Sequence, residues 1–168
     1  MKRLYLILIV FINLILQITI YNFVKINDIV PNIALILVVL FSLTTNEYMG
    51  GFIGLFTGLL YDVLIMDIIG INTLIYFIIG VSLGHFSEDI NKENKSLFVL
   101  ITAISSIFYH LFTAFIMFFL RMNISNMVLI LDKIIIQIIL NSLLCVPVLL
   151  LVNYLLKLVN IKLFNNKL

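Results

Sequence analysis

The sequence contains no tryptophan, one cysteine, two prolines and few charged residues. The single cysteine, Cys145, excludes a disulfide framework and a cysteine-based metal site. Ten basic and eight acidic residues are spread thinly along the chain, so there is no basic block suited to nucleic acid. Apolar residues take their place: 64% of the 168 residues are hydrophobic, and the mean hydropathy is +1.27. A soluble chain of this length could not bury so much apolar surface, so lipid must solvate most of it.

Motifs of known chemistry are also missing from the sequence. It contains no HExxH motif, no glycine-rich phosphate-binding loop and no nucleophile elbow. Its histidine, cysteine and carboxylate residues do not cluster with the spacing of metal ligands. The sequence therefore predicts no catalytic residue, no metal site and no cofactor, and we expect a protein that is not an enzyme.

Six apolar segments follow one another along the chain, separated by short polar links. The first five have about the length that a helix needs to cross a bilayer, roughly 20 residues, and the sixth, with some thirty, exceeds it. The first segment has no small-residue cleavage site after it, so we expect it to be retained as a span. The sequence predicts an all-α integral membrane protein with a single domain over residues 1–168. Its six transmembrane helices are expected at about 4–24, 29–45, 48–66, 70–86, 97–120 and 127–156, with Pro31 in the first turn of the second.

The basic residues are divided unequally between the two sides of this arrangement. Six spans place both termini on one side, together with the charged segment 87–96. Seven basic residues fall on that side, and three fall on the other: Lys25, Arg121 and Lys133. Because cytoplasmic loops of membrane proteins carry an excess of lysine and arginine, both termini are predicted to be cytoplasmic. We expect a multi-pass protein of the bacterial cytoplasmic (inner) membrane.

A stripe of small residues marks the third predicted span. Gly50, Gly54 and Gly58 recur every four residues and therefore share one face of a helix. Such a groove lets a second helix approach closely, which is how helices associate in lipid. The fourth span carries another small pair, Gly80 and Gly84, and the tight link at 67–69 predicts that the two spans are antiparallel neighbours. We expect the five glycines to serve helix packing or assembly.

Three polar residues, Asp62, His110 and Asn141, are expected at similar depths in the membrane. A carboxylate in the bilayer is costly unless it is paired, hydrogen-bonded or wetted. One interpretation is that Asp62 and His110 form a buried pair, which could act as a proton relay or a catalytic dyad. Another is a structural polar contact, with Asn141 as a second possible partner for His110. A third is that Asp62, only a few residues from the end of its span, reaches the headgroups.

Three segments of the chain resemble the MreD family of rod shape-determining proteins. They are Pro31-Asn32 before an aliphatic span, Gly54-x-x-x-Gly58-Leu59-Leu60-x-Asp62, and Gly70-Ile71-Asn72-Thr73-Leu74 at the start of the next helix. The length, the six-span hydropathy and the charged loop after the fourth span are similar too. The resemblance implies a non-enzymatic subunit of the bacterial cell-elongation machinery, without catalytic residues. It implies as partners an MreC-type single-span protein, an MreB-type filament, a SEDS glycosyltransferase and a class B penicillin-binding transpeptidase.

The sequence thus favours a membrane scaffold that presents lipid-facing surfaces to partner proteins and helps to position peptidoglycan synthesis. The main alternative is a substrate-binding membrane subunit of a vitamin-type transporter, which has a similar six-span architecture. Segment 4–24 counts against this alternative, because it has no alanine or glycine for the docking of helices. An intramembrane enzyme built on Asp62 and His110 is a third hypothesis. Co-purification separates the first two, since a scaffold brings down membrane proteins and a vitamin-binding subunit retains a ligand.

Overall fold

The computed structural model of the protein describes residues 29–65, 68–90, 94–120 and 127–158. Five α-helices make up most of this part of the chain. In chain order they are α1 (Ile33–Thr44), α2 (Glu47–Ile65), α3 (Ile71–His85), α4 (Lys95–Phe119) and α5 (Met127–Leu158), with a single 3-10 turn at Phe86–Glu88 after α3. Helices suit a lipid environment because they satisfy their backbone hydrogen bonds internally.

Four of the predicted spans agree with helices to within a few residues. Spans 48–66, 70–86, 97–120 and 127–156 correspond to α2, α3, α4 and α5. Three described segments are long and apolar enough to cross a membrane: Glu47–Ile65, Lys95–Phe119 and Ile134–Leu155 within α5. α1 is a shorter apolar helix, and α3 has 15 residues. The first predicted span, 4–24, lies outside the described residues, so the six-span arrangement and the side of the termini remain predictions.

α1 is shorter than the span predicted at 29–45. Its 12 residues rise about 18 Å, whereas the hydrocarbon core of a bilayer is roughly 30 Å thick. The helix begins after Pro31, because Asn32 is its N-cap and the Asn32 side chain accepts a hydrogen bond from Leu35 N at 3.0 Å. Asparagine is among the most favoured N-cap residues. The prediction that Pro31 lies in the first helical turn is therefore wrong.

α1 occupies the centre of the described assembly. The side chains from Ala34 to Phe41 are fully buried on every side of the helix. α1 contacts each of α2, α3, α4 and α5. A helix that is apolar all round belongs in an interior. In lipid, its burial contributes through van der Waals packing, because the surrounding tails are as apolar as its own side chains.

α4 and α5 pack against each other and turn apolar faces outward. Thr102 of α4 contacts Cys145 of α5, and Ser106, one turn later in α4, contacts Asn141, one turn earlier in α5. The two helices are therefore antiparallel. Their exposed large side chains are Leu100, Ile104, Ile107, Phe108, Leu111, Phe115, Phe118 and Phe119 in α4, and Ile135, Ile139, Leu143, Leu150, Leu151 and Tyr154 in α5. An apolar surface of this extent suits contact with lipid or with other membrane helices.

Candidate functional site: a buried polar junction

The predicted glycine groove lies between α2 and α3, which pack as an antiparallel hairpin. A Cβ atom at Gly54 would overlap the carbonyl group of Tyr76. At Gly58 it would lie 2.5 Å from the Cα atom of Thr73. These are contacts of backbone with backbone, which only the absence of a side chain allows. The face of α2 on which the glycines lie is therefore covered by α3 of the same chain.

The glycines of α3 take part in the same contact. Gly50 and Gly80 face each other so closely that a Cβ atom on either would collide with the carbonyl oxygen of the other. At the C-terminal end of α3, a Cβ atom at Gly84 would lie 2.7 Å from the carbonyl oxygen of Asn46, the residue that precedes α2. The structure thus brings all five predicted packing glycines into one interface within the chain. Their part in assembly with other proteins stays a prediction.

Asp62 lies at the end of this interface and is fully buried. Its Oδ2 accepts hydrogen bonds from Gly70 N and Thr73 N, each at 2.9 Å, and from the Thr73 hydroxyl at 2.6 Å. Its Oδ1 accepts from Asn72 N at 3.2 Å and from Asn72 Nδ2 at 2.7 Å. Five donors therefore surround one carboxylate. This number of hydrogen bonds offsets the cost of removing the charge from water.

Asp62 acts as the N-terminal cap of α3 from a different helix. The residue at the N-cap position, Gly70, has a φ of 110° and no side chain with which to cap. The first N–H groups of a helix have no partner within it and attract negative charge. The Asp62 carboxylate supplies both an acceptor and a charge at this point. Its donors come from Gly70, Asn72 and Thr73, and none of its hydrogen bonds within the described residues comes from His110.

Two tyrosine hydroxyls extend the hydrogen bonding from α3 to other helices. Tyr109 of α4 donates to Asn72 Oδ1 at 2.7 Å. Tyr76 of α3 donates to Asn32 Oδ1, at the start of α1, at 2.8 Å. The rings of Tyr76 and Tyr109 are 5.8 Å apart. Asp62 is thus connected through Asn72 and Tyr109 to α4, and α3 is connected through Tyr76 to α1.

α5 holds the non-helical segment before α1 with two amide side chains. Asn141 Oδ1 accepts from Asn32 N at 2.7 Å, and Gln137 Nε2 donates to the carbonyl oxygen of Val30 at 2.8 Å. Buried backbone outside a helix needs such partners, because lipid provides none. Asn141 Nδ2 also donates to the Ser106 hydroxyl at 3.0 Å. Asn141 therefore joins α5 to both α1 and α4.

His110 lies in line with a series of polar contacts between α4 and α5. The pairs are Thr102 with Cys145 and Ser106 with Asn141, and His110 and Gln137 each lie one turn beyond the second pair. Among the described residues, His110 Nε2 is buried without a hydrogen-bond partner, and neither Asp62 nor Asn141, the partners suggested by the sequence, bonds to it. The same four-residue spacing occurs on both helices, which is why the pairs stay in register.

Seven residues of this hydrogen-bonded junction were not singled out as a site from the sequence: Asn32, Asn72, Thr73, Tyr76, Ser106, Tyr109 and Gln137. Asn32, Asn72 and Thr73 did occur in the segments that carry the family resemblance. A local signal was available, since asparagine and threonine at a helix start are capping residues. No local signal indicated that two tyrosines within apolar spans would reach asparagines on other helices.

The hydrogen bonds of this junction hold the helices in place against one another. Both oxygens of Asp62 are occupied by donors within the chain. Among the described residues, no group of three or more histidine, cysteine, aspartate or glutamate residues could hold a metal ion. Each of α1 to α5 contributes a group to the hydrogen bonds of this junction, if Val30 and Asn32, which directly precede α1, are counted with that helix.

A helical chain with a buried polar junction inside an apolar core, an apolar outer surface and helices long enough to cross a bilayer is an integral membrane protein. The family comparison makes this specific: the model of the family described as "rod shape-determining protein MreD" matches residues 1–156. The chain belongs to the MreD family, which confirms the resemblance found in the sequence. It is a rod-shape-determining membrane protein, of a family that belongs to the rod-shape system together with MreB and MreC. Neither the comparison with curated proteins nor that with solved structures gives a match.

Proposed function

We propose that the protein is a non-enzymatic scaffold of the cell-elongation complex in the bacterial cytoplasmic membrane, and that it helps to position peptidoglycan synthesis. The supporting observation is where its polar groups and glycines lie. The groups that could bind a ligand or perform chemistry, Asp62 foremost, are engaged in holding the helices together. The outward faces of α4 and α5 are apolar.

This distribution favours association within the membrane. A scaffold needs a rigid interior and an outer surface that other membrane helices can contact. The hydrogen-bonded junction supplies the first, and the exposed faces of α4 and α5 supply the second. The proposed partners are an MreC-type single-span protein, an MreB-type filament, a SEDS glycosyltransferase and a class B penicillin-binding transpeptidase. The family supports MreB and MreC as members of the same system.

The transporter alternative receives no support from the family match. The third hypothesis, an enzyme built on Asp62 and His110, receives no support from the hydrogen bonds of Asp62, whose described donors belong to Gly70, Asn72 and Thr73.

Depletion of the protein in a rod-shaped host tests the proposal. We expect the cells to become round or swollen, with uptake of vitamins unchanged, and re-expression of the chain to restore the rod shape. Affinity capture from solubilised membranes of the same strain should bring down proteins of the elongation complex. Cells that keep their shape but lose uptake of a vitamin would instead establish the transporter alternative.

A further inference from the structure

The N-terminus of α1 lies level with the middle of the neighbouring helices. Its cap residue, Asn32, is bonded to Tyr76 of α3 and Asn141 of α5. Asn141 is bonded in turn to Ser106, near the midpoint of α4. Non-helical backbone at such a depth is tolerated only where protein or water satisfies its polar groups.

Asn32 carries a buried donor that lacks an acceptor. The residue is 1% exposed, and its Oδ1 accepts from Leu35 N and from the Tyr76 hydroxyl. No described residue accepts a hydrogen bond from its Nδ2. Turning the amide over would set Nδ2 against the Leu35 N–H and lose that bond. An unpaired amide in an interior is destabilising, because the donor has given up its bond to water without gaining another.

Three other buried polar atoms have no partner among the described residues, but each has a local remedy. Ser42 and Thr57 lie within helices, where a change of the χ1 rotamer can bring the hydroxyl oxygen within reach of the carbonyl oxygen four residues earlier. His110 Nε2 is not a donor when the ring proton is on Nδ1. The Asn32 amide has neither remedy among the described residues.

We propose that the N-terminus of α1 binds a single water molecule. The water oxygen accepts the hydrogen bond that Asn32 Nδ2 donates. The hydroxyl oxygen of Tyr76 lies 2.8 Å from Asn32 Oδ1, and Asn141 Oδ1 lies 2.7 Å from Asn32 N. Both oxygens retain a lone pair that can accept from the water. A buried water needs two to four such partners. An anion is disfavoured, because no described lysine or arginine side chain lies at the junction.

The bound water completes the contact of α1 with α3 and α5. It adds a hydrogen bond at the point where three helices meet and where the backbone is not helical. This inference does not depend on the proposed scaffold function, because it concerns only the satisfaction of a buried donor.

Proton-detected solid-state NMR of the full chain in lipid bilayers tests the site. With asparagine labelled with ¹⁵N, we expect a cross-peak between water and the side-chain amide protons of Asn32. The variant Asn32→Asp lacks this amide and identifies its signal by loss. Asn72 is the matched control, since its Nδ2 donates to Asp62 at 2.7 Å within the protein. We expect no water cross-peak at Asn72.

Each other outcome overturns the proposal. If the Asn32 side-chain amide shows no cross-peak to any proton outside its own helix, the donor is unpaired and binds no water. If it shows a cross-peak to residues 1–28, the chain itself supplies the acceptor. A cross-peak to a non-protein molecule, with a mass adduct in native mass spectrometry, replaces water by a small-molecule ligand that offers the same oxygen. Equal water cross-peaks at Asn32 and Asn72 show general wetting of the interior, without a site.

Discussion

A single buried carboxylate shows how this protein keeps a charge inside the membrane. Asp62 receives five hydrogen bonds, all from the start of α3. Three of the five donors are backbone N–H groups, which no mutation of a side chain can remove. The carboxylate is therefore held mainly by the backbone N–H groups at the start of α3. The side chains of Asn72 and Thr73 add two further hydrogen bonds.

The variant Asp62→Asn should be destabilised even though it is nearly isosteric. An amide keeps one acceptor oxygen and sets an N–H₂ group against donors on its other side, so two or three hydrogen bonds are lost. Because hydrogen bonds to charged groups contribute about 1.5–3 kcal/mol each, the loss of two of them should lower the free energy of unfolding by about 3–6 kcal/mol. Unfolding of the solubilised protein measures it, with Asp89→Asn at an exposed position as the control. Full stability of Asp62→Asn would show that the carboxylate is not needed as a double acceptor.

Asn141 tests the junction at a second residue. Replacement by leucine keeps the volume but leaves Asn32 N without its acceptor, whereas the Ser106 hydroxyl loses one donor and still donates to a carbonyl oxygen of α4. We expect the free energy of unfolding to fall by about 1–3 kcal/mol, which is the usual cost of one unpaired buried group. The adjacent variant Ser142→Ala is the control, since the Ser142 hydroxyl bonds only to Ile138 O of its own helix. Equal stability of the two variants would contradict a role for Asn141 in joining helices.

Among the helices, the α2–α3 hairpin is the contact with the least tolerance for change. Its glycines meet backbone atoms of the facing helix, and backbone cannot move aside as a flexible side chain can. The short link between the helices and the Asp62 cap then close the hairpin at one end. At the other end, Glu47 and His85 are paired with a distance of 3.0 Å between Oε2 and Nδ1.

Gly54→Ala and Gly54→Leu should both weaken this hairpin. Even a single methyl group at Gly54 would overlap the Tyr76 carbonyl, and overpacking of this kind costs typically about 1–3 kcal/mol, with leucine above alanine. Thermal unfolding at equal membrane expression separates folding from insertion. Phe52→Leu, on an exposed face of α2, is the control and should change little. If Gly54→Leu matched Phe52→Leu in stability and in the recovery of partner proteins, the groove would have no role in packing or in assembly.

At the scale of the whole molecule, the link before α2 and the link after α3 lie at the same end of the α2–α3 hairpin. Glu47 is paired with His85, and the Ser87 hydroxyl donates to Thr45 O at 2.6 Å. The links before α2 and after α3 therefore lie together. In the predicted six-span arrangement this is the cytoplasmic side.

Labelling of single cysteines tests that topology. Cysteine is introduced at Asn91, Asn27 or Asn123 in a chain whose Cys145 is replaced, and intact cells are treated with an impermeant maleimide. The distribution of basic residues predicts that position 91 is protected and that 27 and 123 react. Permeabilised cells, in which all three positions should react, provide the control. Reaction at 91 in intact cells, or protection of both 27 and 123, contradicts six spans with cytoplasmic termini.

The sequence by itself determined the class of protein, the positions of most helices and the glycine face of α2. These follow from composition and from periodicities along one helix, which depend on neighbours three or four residues away. It also carried the segments that identify the MreD family.

Only the tertiary structure decided where the polar side chains of those helices find their partners. Asp62 bonds to the next helix, whereas Asn141 bonds to a backbone N–H more than a hundred residues away. α1 can begin as late as Ile33, after its cap residue Asn32, because α5 satisfies the non-helical backbone before it, and no local pattern encodes this. Hydropathy locates a span, but a hydrogen bond between spans depends on the rotation and depth of both helices, and these are fixed only when the helices pack.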